Sequence, residues 1–195
     1  MNETLPQIVR PGRPREYSAE QAIRDVTAVF WENGYFATTL DSLIAKAGLS
    51  RSSFYSFFGS KQRALHHVLR LHAAQIIRGL EATRRAAPDP ATAVHDMARK
   101  AVDPEGGRRG CFLANCNMEL APVDPVVDGI VTEHFRLIED QFERCYRAIG
   151  ALDPAASASF ALTLVLGLIA RRKSGCDPKT LDAMLDRGIA TTFAT

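Results

Sequence analysis

Apolar positions recur at three- and four-residue spacing along almost the whole chain, and runs that alternate apolar with polar residues are absent. That period belongs to helices with one buried face, so the sequence predicts an all-α fold. A first helix starts at Ser18, with Gln21 three residues on as a capping box, and Gly34 ends it. Ala22, Ile23, Val26, Val29 and Phe30 form its inner face. Leu40, Leu43, Ile44 and Ala47 mark a short second helix, capped by Thr39 and stopped by Gly48, where a left-handed turn needs no Cβ. Ser50 caps a third helix over 51–57, with Phe54 and Phe58 on one side and Leu49 plugging the angle between the two helices. After Ser60 a longer helix carries Leu65, Val68, Leu69, His72, Ile76 and Leu80 on one stripe.

Breaks at PDP (88–90), DPEGGRRG (103–110), Pro122 with Pro125, GALDP (150–154) and GCDP (175–178) separate the remaining helices. These run through His95 to Val102, over 111–120, then along a stripe of Val131, Phe135, Ile138, Phe142, Cys145 and Ile149. A helix over 155–172 is apolar nearly all round and should be covered on most sides, with Arg171, Arg172 and Lys173 suiting the negative end of its dipole. The last helix carries Leu181, Met184, Leu185 and Ile189.

Two short helices joined by a tight glycine turn make a helix-turn-helix, whose second helix enters the DNA major groove. The residues Gly34, Tyr35, Thr38, Thr39, Ala47, Gly48, Leu49, Ser50, Phe54, Tyr55, Phe58, Ser60 and Lys61 stand in the register of one known pattern. Over about residues 15–65 the chain closely resembles the DNA-binding domain of the tetracycline-repressor (TetR) family. It departs at Phe57, where the family often has His or Tyr, and at Ser52, where Gly, Pro or Ala is frequent. The resemblance implies a three-helix DNA-binding domain at 17–64 and a larger helical domain at 65–195 for ligand binding and dimerisation. A flexible basic arm at 1–16 precedes them.

Arg51 is placed to pair with guanine acceptors, and Ser52, Ser53 and Ser56 to bond bases or phosphates. Tyr55 and Lys61 resemble the family's phosphate contacts, and Thr38 and Thr39 are candidates for the same role. Arg10, Arg13 and Arg15 on the arm suit an adjacent minor groove. The expected partner is a palindromic double-stranded operator, bound by a homodimer with reading helices about 34–36 Å apart. The resemblance places the dimer interface on the last two helices, here at Phe160, Leu162, Leu166, Ile169, Leu181 and Leu185. It also implies a small-molecule effector in the larger domain. Cys111, Phe112, Asn115, Met118, Phe135 and Phe142 are candidate contacts.

Composition narrows the remaining classes. The 195 residues are 46% hydrophobic with a net charge of only +2, so any basic surface is local. No run of about 18 consecutive apolar residues is present, and the N-terminus lacks a signal-peptide core, so a cytoplasmic protein is expected, away from membranes. The histidines His66, His67, His72, His95 and His134 are scattered, with neither a metal-ligand nor a catalytic spacing, so no enzyme, metal or cofactor is expected.

The four cysteines include no C-x-x-C pair. Cys111 sits at a predicted helix start beside Arg108 and Arg109, a setting that lowers a thiol pKa. RGCFLANCNMELAP (109–122) resembles a Gly-Cys motif of TetR-like regulators, some of which sense electrophiles or oxidants. Two alternatives to an effector-released repressor follow. One is a thiol-based redox or electrophile sensor using Cys111; the other is a TetR-like protein that acts through protein contacts without binding DNA.

Overall fold

The computed structural model describes residues 18–103 and 105–193. Among them are nine α-helices and no strand: α1 (Ala19–Ala37), α2 (Leu40–Ala47), α3 (Arg51–Phe58), α4 (Lys61–Ala86), α5 (Pro90–Val102), α6 (Phe112–Leu120), α7 (Pro125–Ile149), α8 (Pro154–Lys173) and α9 (Pro178–Thr192). Arg10, Arg13 and Arg15 lie outside the described residues.

The helix starts follow from local chemistry. Thr39, Ser50 and Ser60 each accept a hydrogen bond from the backbone N–H three residues on. The Asp-Pro pairs at 89–90, 124–125, 153–154 and 177–178 each open a helix, with Asp as the cap and Pro in the first turn. Proline suits that position because its missing N–H would have no helical partner anyway. The breaks seen in the sequence are thus also starts. The capping box at Ser18 does not form: its side chain makes no cap bond, and Gln21 instead donates to Asp25 and accepts from Arg24.

The core has two parts. One gathers Val26, Phe30, Leu43, Phe54, Phe58, Leu65 and Leu69 with Phe112, Leu113 and Leu120 of α6 and Val127 and Val131 of α7. The other gathers Leu80, Val94, Met97, Phe142, Tyr146, Leu162, Val165, Leu181 and Leu185. Helix α4 supplies residues to both. The first three helices therefore do not close their own core; α6 and the start of α7 complete it.

Helix α8 is long and apolar enough, by length and composition, to cross a membrane, with a mean hydropathy of 1.5. In the fold it packs against α7 and α9, and its buried side includes Ser157 and Arg172. Its apolar character is divided between the core and an outer face. Leu162, Ile169, Leu181 and Leu185 face the chain's own interior, so these four expected interface residues are not on the outside, while Leu166 is half-buried. The outer face of α8 and α9 instead presents Phe160 (51% exposed) and Met184 (38%), beside exposed Thr163, Gly167 and Ala183.

Candidate nucleic-acid interface and interior cavity

Helix α3 is fastened by its inner side and open on its outer one. Phe54 and Phe58 are buried, their rings 5.1 Å apart, while Arg51, Ser52, Ser53, Tyr55 and Ser56 are exposed. Gly48, at φ +65°, takes the left-handed turn that sets α3 against α2. The Ser50 hydroxyl caps α3 and lies 2.9 and 2.8 Å from the hydroxyls of Ser52 and Ser53, which orders that end of the helix. Arg51 donates to the Asp41 carboxylate at 2.5 Å; both side chains are largely exposed, so water screens the pair. The Lys61 ammonium sits 4.2 Å over the Tyr35 ring at the start of α4. Phe57 is 46% exposed and packs edge-on to Phe58.

Thr39 is exposed and caps α2, as its spacing predicts. Thr38 is not available to a phosphate: it is 1% exposed and its hydroxyl donates to the Gly34 carbonyl at 2.6 Å. Gly34, at φ +75° and ψ 177°, kinks the chain here. The bared amides of Tyr35 and Phe36 donate to the two Glu119 carboxylate oxygens, each at 2.9 Å. A Cβ on Gly34 would lie 2.8 Å from that carboxylate.

A second tether joins α4 to α7. Asp124, 6% exposed, accepts from the N–H groups of Val126 and Val127 and from the Gln62 amide, and its carboxylate lies 2.8 Å from His66 Nε2. Burial pushes its carboxyl up, but the hydrogen bonds from Gln62, His66 and Val127 together outweigh burial and hold it at about 2. Glu119 and Asp124 are functional candidates that spacing cannot reveal, since each is an ordinary surface residue until its distant partner is known.

Between α1, α4, α6, α7 and α8 lies a cavity of about 390 Å³. Its wall includes Trp31, His72, Ile76, Phe112, Phe135, Leu166 and Arg172. Of the candidate ligand contacts, Cys111, Phe112 and Phe135 line it, together with Leu162, Leu166 and Ile169 from the expected interface set. Asn115, Met118 and Phe142 do not. Asn115 is held by the Arg109 carbonyl and the Lys173 ammonium, Met118 is 86% exposed, and Phe142 is buried in the second core.

Trp31 and Arg172 escaped sequence reasoning. The single tryptophan belongs to the first helix yet reaches the cavity, with the Arg109 guanidinium 4.3 Å from its ring centroid. Arg172 is 6% exposed rather than a solvated helix end. It donates to the Val102, Asp103 and Gly110 carbonyls and so holds the loop that leads into α6.

The thiol of Cys111 does not have the lowered pKa its position suggests. Burial pushes it up, against the amides of Ala114 and Leu113 and the charge of Arg172, which pull the other way. Burial, with Glu119 and Cys111 nearby, pushes Cys116 up to about 12. His134 is lowered to about 4, first by burial and then by His72, and His72 is lowered by burial and by Arg109. Both rings therefore line the cavity uncharged near neutral pH.

Comparison with known proteins bears on this arrangement. The family profile described as "Bacterial regulatory proteins, tetR family" matches residues 26–68. The chain is 28% identical over 170 residues to the HTH-type transcriptional repressor DhaR of Mycobacterium sp. (strain GP1), covering 82% of this chain and 84% of that one. It is 25% identical over 172 residues to the HTH-type transcriptional repressor BdcR of Escherichia coli (strain K12), covering 85% and 84%. Its fold is similar to that of SCO4454, a TetR-family transcriptional regulator from Streptomyces coelicolor (TM-score 0.79, 23% identity, 90% and 93% covered). It is also similar to a cysteine mutant of the TetR-family regulator CifR complexed with 26-base-pair operator DNA (TM-score 0.77, 23% identity, 92% and 98% covered).

Proposed function

We propose that this chain, which belongs to the TetR family of transcriptional regulators, is a repressor that binds a two-fold operator as a homodimer and leaves it when a small molecule occupies the cavity. The carrying observation is α3: two buried phenylalanines fix its position while Arg51, Ser52, Ser53, Tyr55 and Ser56 are exposed on the opposite face. Residues 17–64 form the DNA-reading unit in this account and residues 65–195 the effector and dimer unit. Arg51 contacts bases or phosphates, and Tyr55, Thr39 and Lys61 contact phosphates. Arg13 and Arg15 extend the contact along the minor groove. Phe57 has no polar atom and contributes packing only.

The dimer forms through the outer face of α8 and α9, with Phe160 and Met184 at its centre. An effector that fits the cavity better in one arrangement of the two reading helices shifts the population toward that arrangement. We assign no catalytic step to the chain. His66 pairs with Asp124 and His95 with Asp186. As a regulator of DNA, the chain is assigned to the cytoplasm in this proposal. The thiol-sensor reading is weakened by the raised Cys111 pKa, and the reading without DNA by the open face of α3.

Selection from a random double-stranded DNA pool tests the proposal. Recovery of a palindrome with half-sites about one helical turn apart is expected. Enrichment of no common sequence would overturn it.

A further inference from the structure

Among the described residues, three buried side-chain nitrogens have no hydrogen-bond partner: Trp31 Nε1, His134 Nδ1 and Arg172 Nε. All three residues line the same cavity. Buried polar side-chain atoms are nearly always paired, so their convergence on one cavity calls for a guest that hydrogen-bonds.

The unpaired atoms define the chemistry of that guest. Indole Nε1 and guanidinium Nε always carry hydrogen and can only donate, so the guest brings acceptors. Charge narrows it further. The charged side chains on the wall are Lys100, Arg172 and Asp103. The Asp103 carboxylate lies 3.3 Å from Arg172, which leaves Lys100 as a cation without an ion-pair partner among the described residues. The two wall histidines are neutral because burial lowers both. Apart from the amide of Gln75, the rest of the wall is mostly apolar and includes Ile76, Phe112, Phe135 and Leu166. A volume of about 390 Å³ is in the range of small-molecule sites.

We propose that the cavity binds a small apolar monocarboxylic acid, its carboxylate taken by the nitrogen donors of Trp31, Arg172 and Lys100 and its hydrocarbon part by the wall around Phe112 and Phe135. This names the effector class for the regulator proposed above and rests on that reading. It also gives α1 a direct part in sensing. Trp31 stands one residue after buried Phe30, on the helix that packs against α2, so a guest touching Trp31 touches the DNA-reading unit itself.

Trp31 is the chain's sole tryptophan, so its emission reports on the cavity alone. The full chain is titrated with phenylacetate and with hexanoate, each against its methyl ester, and the titrations are repeated by calorimetry. Saturable binding of both acids is expected, with each ester at least about tenfold weaker, the factor a single charge-assisted hydrogen bond supplies. Lys100→Gln, at an exposed position that should not disturb folding, is expected to weaken the acids about tenfold and leave the esters unchanged. An absence of saturable binding for both acids, or esters that bind as tightly as their acids, would overturn the proposal. Operator binding measured on the same sample separates the two readings: DNA binding without acid binding removes the acid effector and keeps the regulator, and the reverse result does the opposite.

Discussion

Glu119 and Tyr35 stand 84 residues apart in sequence and are joined by a 2.9 Å hydrogen bond from the Tyr35 amide to the Glu119 carboxylate. The second carboxylate oxygen takes the Phe36 amide, so the end of α6 grips α1 at the Gly34 kink. The start of α6 touches the cavity through Phe112, and α6 has only nine residues. A short helix thus links the cavity to the proposed DNA-reading unit. Glu119→Gln removes the charge and one of the two acceptors. Hydrogen exchange at the Tyr35 and Phe36 amides should accelerate about tenfold or more, since a hydrogen bond to a charged group contributes about 1.5–3 kcal/mol. Unchanged protection at both amides would show that the grip carries no strain between the units.

Asp124 gives the molecule an acid-labile tether. Its carboxyl is held at about 2, below the ordinary value of 3.8, so the folded state favours the ionised form. The stabilisation is therefore complete above about pH 4 and is lost as the pH falls through about 2. Asp124→Asn should lower stability by about 1–3 kcal/mol at neutral pH and flatten the acid limb of the stability curve. Denaturant unfolding from pH 2 to 7 measures both. Parallel acid limbs for the two proteins would mean that Asp124 is not the group responsible.

Two substitutions separate the proposed dimer face from the core. Phe160→Glu should give a folded monomer in sedimentation, because the ring is half-exposed in the single chain. Leu181→Glu should instead unfold the chain, because that side chain is fully buried and a lone interior charge is strongly unfavourable. A Phe160→Glu protein that stays dimeric at micromolar concentration would move the interface elsewhere.

Cys111 should be slow to alkylate at neutral pH. Burial raises its thiol, so the thiolate is scarcer than in a free cysteine. Iodoacetamide labelling followed by peptide mapping should find Cys176, in the turn before α9, modified before Cys111. The opposite order at pH 7 would revive the thiol-sensor reading.

Much of this was legible in the spacing of residues. The period of apolar positions and the breaks between them locate the helices, and Thr39, Gly48 and Ser50 act as the sequence says they should. What spacing cannot give is the partner across space. Thr38 and Thr39 look alike in sequence, but only the second stays exposed, because the Gly34 kink turns the first inward. Helix α8 is apolar on both sides, so its pattern cannot tell Leu162 in the core from Phe160 on the outside. Trp31, Glu119 and Arg172 owe their roles to neighbours from distant helices or the loop before α6, and no local rule names those neighbours.

The central claim, that α3 reads DNA, is most directly tested by salt titration of binding to the selected site and to an unrelated fragment of equal length. Binding to the selected site alone is expected, weakening steeply with salt. Arg51→Ala should weaken it and relax the sequence preference, and Lys61→Gln should reduce the salt slope by about one per reading unit. Equal, weak binding to both fragments, unchanged by either substitution, would contradict the account.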